Sequence, residues 1–192
     1  MKNLIIIALA SCISSTVFAS NSVSLGYSQG KFAKADTLKG FNLKYSHEFD
    51  NQWGLITSAT YMKAETQNAQ FTTHGTVLGS LKVNSEYKHQ YSSLLIGPTY
   101  RVNEYINLYG TLGLGIHNAK AKATVSTLNQ YNRASSTATK TKRTNALAYG
   151  AGAQINVTPS FLIDVGYEGT NIEYGNKKQK LNSFVVGVGY KF

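Results

Sequence analysis

Apolar and polar side chains alternate at period two in eight separate stretches of this chain. The clearest is Gly40 to Phe49, where Phe41, Leu43, Tyr45, His47 and Phe49 share one face and Asn42, Lys44, Ser46 and Glu48 the other. Such alternation with one apolar face predicts a β-strand. It recurs at Ser22 to Gln29, Trp53 to Lys63, His89 to Arg101, Ile106 to His117, Thr144 to Asn156, Phe161 to Thr170 and Ser183 to Phe192. In the last stretch Phe184, Val186, Val188, Tyr190 and Phe192 oppose Ser183, Val185, Gly187, Gly189 and Lys191. A strand must find neighbours for its backbone N–H and C=O groups, and closure of the sheet removes its edges. An apolar outside around a polar, glycine-rich inside places lipid outside. The pattern therefore predicts an all-β, eight-stranded, antiparallel up-and-down transmembrane barrel.

The connections sharpen that expectation. Short turns follow the second, fourth and sixth strands, at Asp50 to Gln52, Asn103 to Tyr105 and Val157 to Ser160. Longer polar segments, at about 30–39, 64–88, 118–143 and 171–182, follow the others and are expected as loops, with 118–143 mobile on its own. Outer-membrane barrels have short periplasmic turns and longer extracellular loops, so the long segments are expected outside the cell and both termini in the periplasm. Aromatic residues fall at two levels, as interfacial girdles do: Phe49, Trp53, Tyr100, Tyr105, Phe161, Tyr190 and Phe192 at one, Tyr27, Phe41, Tyr61, Tyr149, Tyr167 and Phe184 at the other. Pro98 inside a strand requires that its missing donor fall at a bulge or a strand end.

The amino terminus supplies the compartment. Lys2, the apolar run Leu4 to Ala10 and Val17-Phe18-Ala19 before Ser20 read as a secretory signal peptide, 1–19, cleaved after Ala19. Leu9-Ala10-Ser11-Cys12 resembles a lipoprotein lipobox, but the apolar core ahead of Cys12 is short and apolar residues continue to Phe18. Removal of the leader takes the single cysteine with it, leaving no disulfide or thiol chemistry. Thirteen tyrosines, eight phenylalanines and seventeen glycines, with only 15% charged residues, favour strands and turns.

Charge and candidate chemistry come next. An eight-stranded barrel is just wide enough for side chains to fill it. Lys44, Glu48, Arg101, Gln154, Asp164 and Glu168, with Lys191, face inward and are expected to form a structural salt-bridge network, because buried charges must be paired. An ion path or a catalytic carboxylate pair has no room there. His47, His74, His89 and His117 are scattered, with no nucleophile spacing and no metal-ligand cluster, so no enzyme activity, metal or cofactor is expected. The net charge of +10 sits mainly in the long segments, at Lys120, Lys122, Arg133, Lys140, Lys142, Arg143, Lys177, Lys178 and Lys180 among others, opposed there by Asp36, Glu65, Glu86 and Glu173. Such a rim attracts lipopolysaccharide phosphates, sulfated host glycans or acidic protein patches. Nucleic acid is not a partner, since no recognition motif accompanies the charge.

Gly97-Pro98-Thr99-Tyr100-Arg101, Leu108-Tyr109-Gly110 through Gly113 and Gly115, Ala148-Tyr149-Gly150-Ala151-Gly152, Ile163-Asp164-Val165-Gly166-Tyr167-Glu168 and Gly187-Val188-Gly189-Tyr190-Lys191-Phe192 occur in this order. In these motifs the chain resembles the Ail/Lom/OmpX family of small outer-membrane proteins. The resemblance implies an eight-stranded barrel with a terminal aromatic assembly signal, matched by Phe192 with Tyr190. It also implies attachment to host cells, entry or complement resistance through the extracellular loops. The expected function is thus a host-adhesion or complement-resistance surface made by basic loops. The alternative is a structural protein that stabilises the lipopolysaccharide leaflet without a host ligand.

Overall fold

The computed structural model describes residues 21–32, 37–49, 52–72, 80–128, 133–174 and 177–192, with the side chains of 32, 67–72, 80–83, 127–128, 133–134, 173–174 and 177–178 left out. The expected leader 1–19, together with Lys34, Asp36 and His74, lies outside the described residues.

Eight strands follow one another: β1 (Asn21–Phe32), β2 (Thr37–Glu48), β3 (Trp53–Thr72), β4 (Ser80–Arg101), β5 (Ile106–Leu128), β6 (Arg133–Asn156), β7 (Phe161–Tyr174) and β8 (Lys177–Lys191). Each pairs antiparallel with the next, and β1 pairs with β8 to close the barrel. The seam runs from Phe32 opposite Leu181 to Ser22 opposite Lys191. Beyond it, Asn21 and Phe192 exchange backbone hydrogen bonds of 2.9 and 2.8 Å.

The short β4–β5 and β6–β7 turns, described in full, lie at the same end as the β2–β3 connection. Asn103 shapes the β4–β5 turn by accepting on Oδ1 from the amides of Tyr105 and Ile106 at 2.9 and 2.8 Å. The Thr158 hydroxyl accepts from the Phe161 amide at 2.9 Å before β7. These are the local side-chain hydrogen bonds that draw Asn and Thr to turns. Pro98 lies neither at a bulge nor at a strand end. Pairing of β4 with β5 lapses at Gly97 and Pro98 and resumes in the same register from Ile96 opposite Leu112 to Thr99 opposite Tyr109. A Cβ on Gly97 would collide with the Gly110 carbonyl oxygen, so this close approach requires glycine.

The wall divides two environments. Leu112 and Val188 are 60% and 69% exposed, and Leu25, Phe41, Leu94, Leu147 and Phe184 also project from the outer face. That much exposed apolar surface on a folded protein needs a lipid solvent. Inside, Ser24, Asn42, Ser58, Thr111, Gln154 and Ser183 are buried. Toward the long-segment end the lumen changes character. Leu38, Met62, Ala64, Tyr91, Ile172 and Leu181 form a buried apolar cluster that plugs the barrel.

The long segments depart from the loops expected at 30–39, 64–88, 118–143 and 171–182. Among the described residues, β3 runs on to Thr72, β4 begins at Ser80, β5 continues to Leu128 and β6 begins at Arg133. Residues 30–32, 37–39, 171–174 and 177–182 are likewise strand. The described residues of the segment expected to be mobile form a ladder, with Asn118 opposite Arg143 and Leu128 opposite Arg133. The alternating Thr137, Thr139 and Thr141 of β6 suit a pleated backbone, and cross-strand pairing supplies the order that polarity alone did not suggest. A membrane-spanning strand needs only about 9–11 residues, so β3 to β6 extend well beyond the bilayer as a four-stranded sheet. The pairing of β2 with β3 ends at Lys39 and Lys63, and that of β6 with β7 at Ala148 and Thr170, so this sheet stands clear of the barrel.

Candidate functional site

The lumen charges fall into three levels. In the middle, buried Lys44 forms an ion pair with buried Asp164. Asp164 also accepts from the Tyr109 hydroxyl at 3.2 Å and from Gln154 Nε2 at 3.3 Å. Toward the short-turn end, Glu48 pairs with Arg101, lies 3.6 Å from Lys191 Nζ and accepts from Asn107 Nδ2 at 3.1 Å. Toward the plug, Glu168 is held by hydroxyls: Thr60 and Tyr91 each donate to it at 2.7 Å. The void beside Lys44, Tyr109 and Glu168 measures about 10 Å³, the space of roughly one water. These groups therefore have partners but no room for a substrate.

Tyr91, Tyr109 and Thr60 were not singled out by sequence. A signal for the tyrosines exists on neighbouring strands, where inward glycines clear space for inward rings. A Cβ on Gly115 would sit 2.8 Å from the Tyr91 hydroxyl oxygen.

The second candidate region is the projecting sheet. Lys120, Lys122, Lys140, Lys142 and Arg143 are exposed and come together on β5 and β6, where Lys120 faces Thr141, Lys122 faces Thr139, Ala119 faces Lys142, Ala121 faces Lys140 and Asn118 faces Arg143. Alternation places Lys120, Lys122 and Arg143 on the face continuous with the lipid-facing wall, and Lys140 and Lys142 on the face continuous with the lumen. Exposed Lys180 lies elsewhere, opposite Asn171 on the β7–β8 pair. Arg133, Lys177 and Lys178 are strand residues whose side chains lie outside the described ones.

Part of this charge is already balanced. Lys88 lies 2.9 Å from Glu86 and 3.7 Å from Glu65. The hydrogen bond from Lys88 holds the Glu86 carboxyl below its usual 4.5, and the same contact raises Lys88 above 10.5. Next to them, just beyond the apolar band, a cleft of about 110 Å³ is lined by Tyr61, Lys63, Glu65, Lys88, Gln90 and Lys120 among others. On the opposite face, Tyr87, Ala121, Ala123, Ala138 and Lys140 border a shelf of about 220 Å³. Among the described residues no group of three or more His, Cys, Asp or Glu is placed to hold a metal ion. Tyr190 and Phe192, the expected assembly signal, stand on the outer wall at the seam, with Phe161 packed edge-on to Tyr190 at 5.5 Å.

A closed antiparallel barrel with an apolar exterior, a filled lumen and tight turns at one end defines an outer-membrane β-barrel protein. The family model described as Enterobacterial Ail/Lom protein matches residues 1–192, and the chain belongs to that family. It is 35% identical over 202 residues to the attachment invasion locus protein of Yersinia pseudotuberculosis, covering 100% of this chain and 97% of the relative. It is 32% identical over 198 residues to the virulence membrane protein PagC of Salmonella typhimurium, covering 100% of both. The crystal structure of Ail from Yersinia pestis in complex with the heparin analogue sucrose octasulfate superposes with a TM-score of 0.68 at 30% identity, covering 92% of this chain and 100% of that one.

Proposed function

We propose that this protein is a host-adhesion and complement-resistance surface whose barrel is an anchor and whose projecting sheet makes the contact. The observation that carries the proposal is the clustering of Lys120, Lys122, Lys140, Lys142 and Arg143 on one exposed strand pair beyond the apolar wall. A ladder fixes the backbone beneath these cations, so less backbone entropy is lost on binding than a flexible loop would lose. The ligand class is an anionic glycan or acidic protein patch. The relative crystallised with a heparin analogue supports the glycan. The short turns at the opposite end support an orientation with the sheet outside the cell and the termini in the periplasm. The contact is non-covalent, and the protein is not an enzyme.

Cells carrying the protein should bind immobilised heparin and matrix proteins more strongly at low than at high salt. Shortening residues 118–143 should abolish this binding and serum survival while the barrel still folds. Unchanged binding and survival would overturn the proposal. The cleft lined by Tyr61, Lys63, Lys88 and Lys120 favours a second role, contact with lipopolysaccharide phosphates of the protein's own leaflet. A deletion strain separates the two: lost adhesion with normal envelope permeability supports host contact, and the reverse supports leaflet stabilisation.

A further inference from the structure

The two faces of the projecting sheet differ in charge balance. Glu65 and Glu86 both lie on the face continuous with the lipid-facing wall, where Lys88 pairs with them. The other face, continuous with the lumen, holds no carboxylate among the described residues of β3 to β6. On it Tyr87 of β4, Ala121 of β5 and Lys140 of β6 stand abreast. The next row outward has Ser85, Ala123 and Ala138, and the row toward the plug has Ala119 beside Lys142. Alanines thus floor a groove along β5. Its walls are Tyr87 on one side and Lys140 with Lys142 on the other, about 9.5 Å apart at two strand spacings. Tyr87 is 45% exposed, Lys140 is exposed, and the shelf of about 220 Å³ between them is large enough for one aromatic side chain.

We propose that this groove binds an extended segment of an acidic protein in which an aromatic residue is flanked by carboxylates. The inference rests on the reading of the projecting sheet as the contact surface and names a partner for one of its faces. Side chains of an extended peptide alternate, so a segment laid along β5 sends its ring toward Tyr87 and its flanking carboxylates toward Lys140 on the opposite wall. Same-face side chains of such a segment recur about every 6.8 Å, which is also the spacing of Lys140 and Lys142, two residues apart on one strand. The ring covers the alanine methyl groups and packs offset or edge-on against Tyr87, the favoured arrangements of an aromatic pair. No carboxylate of the same face competes for Lys140.

An anionic glycan fits this floor less well. A sugar ring brings hydroxyls to methyl groups that cannot pair with them, and hydroxyls buried without partners cost binding energy. The outer face, with Lys120, Lys122 and Arg143, stays open to the glycan.

The test uses the full-length mature protein, extracted from outer membranes in detergent, and a fluorescein-labelled peptide reading glycine-aspartate-phenylalanine-aspartate-glycine. Its anisotropy should rise on titration with the protein, and less so at about 0.5 M salt. The same peptide with asparagine in place of aspartate should bind more weakly. Tyr87→Ala should weaken binding of the acidic peptide by about tenfold. Lys140→Gln should weaken it by about two- to fivefold, and Thr141→Ala, on the other face of β6, should leave it unchanged. All three side chains are exposed beyond the plug, so the barrel folds in each variant. Immobilised heparin should still retain the Tyr87→Ala protein. A protein that binds heparin but not the peptide overturns this inference and leaves the host-contact reading standing, whereas one that binds neither overturns both. The inference also fails if Tyr87→Ala keeps full affinity for the peptide, or if it weakens heparin as much as the peptide, which would make the shelf a glycan site.

Discussion

The barrel wall and the projecting sheet are made of the same strands under two different solvents. Pairing of β4 with β5 runs in one register from Arg101 opposite Asn107 up to Ser80 opposite Leu128. Along its lower part, Leu94, Ile96, Leu112 and Leu114 face lipid while Leu95, Thr99 and Thr111 are packed inside. Along its upper part residues 135–143 of the adjoining β6 are exposed on both faces. The backbone ladder is thus indifferent to the boundary, and the side chains alone record where hydrocarbon gives way to water. Below, a misplaced charge meets lipid or a closed lumen. Above, the sheet rests on its ladder and on cross-strand contacts worth about 0.2–1 kcal/mol each, such as Thr124 to Thr137 at 3.2 Å. Lys140, Lys142 and Arg143 near the β6 edge also discourage pairing with another chain.

The largest effect expected from this contrast is in the lumen. Asp164→Ala strands Lys44 among buried groups and should cost about 3–5 kcal/mol in denaturant unfolding of the refolded barrel. Combining it with Lys44→Met should recover most of the loss, because an apolar pair replaces the ion pair. If the double variant were as unstable as the single one, the cost would come from packing around Asp164. On the outer wall, Leu112→Arg should cost about 2–4 kcal/mol, as a charge near the middle of the lipid-facing band does. The same arginine at Ser136, opposite Val125 in the projecting sheet, should change stability by less than about 0.5 kcal/mol. Equal penalties at the two positions would show that the upper ladder is not in water. Smaller again, Tyr91→Phe removes one of the two hydroxyls that hold Glu168 and should cost about 1.5–3 kcal/mol, the range for a hydrogen bond to a charged group.

The same contrast explains what could be read in advance. Strands crossing the bilayer announce themselves because Leu112 and Thr111 answer to different solvents, so the alternation is visible in hydropathy. Beyond Asn118 both faces meet water, and although Ala119-Lys120-Ala121-Lys122-Ala123 still alternates, alanine and lysine are weak strand formers and the stretch reads as a charged loop. The inward positions of Lys44, Asp164, Gln154, Arg101, Glu48 and Glu168 follow from strand parity. How they divide does not: nothing local says that Glu168 meets Thr60 and Tyr91 whereas Asp164 meets Lys44, since these contacts join strands far apart in sequence. The apolar plug was hidden for a related reason. Leu38, Ile172 and Leu181 lie in segments that look like loops, and only closure of the barrel points them at one another.

The smallest expected effect tests whether the upper ladder has the register described. Lys88 is exposed and Glu86 partly so, separated by one residue on the outer face of β4, with Lys122 opposite Glu86. The Lys88 hydrogen bond lowers the Glu86 carboxyl below 4.5, and charge from Lys88 and Lys122 adds to the shift. A lowered carboxylate stabilises the fold at pH values above its unfolded pKa and loses that contribution as pH falls through the lowered folded value. Lys88, raised by Glu86 and then Glu65, contributes below 10.5 and loses its share as pH rises through its raised value. Between those limits the contribution is constant, and salt screens it because both groups are in water. Nuclear magnetic resonance of the detergent-solubilised protein, titrated from about pH 6 down to about pH 2, should give Glu86 a midpoint below its ordinary one. Raising salt to about 0.5 M should move that midpoint upward, and Lys122→Gln should move it upward by less than Lys88→Gln does. The Leu112 amide, in the wall, should not respond. A Glu86 midpoint at or above 4.5 in low salt would mean that Lys88 is not bonded to it and that the upper ladder differs from the one described here.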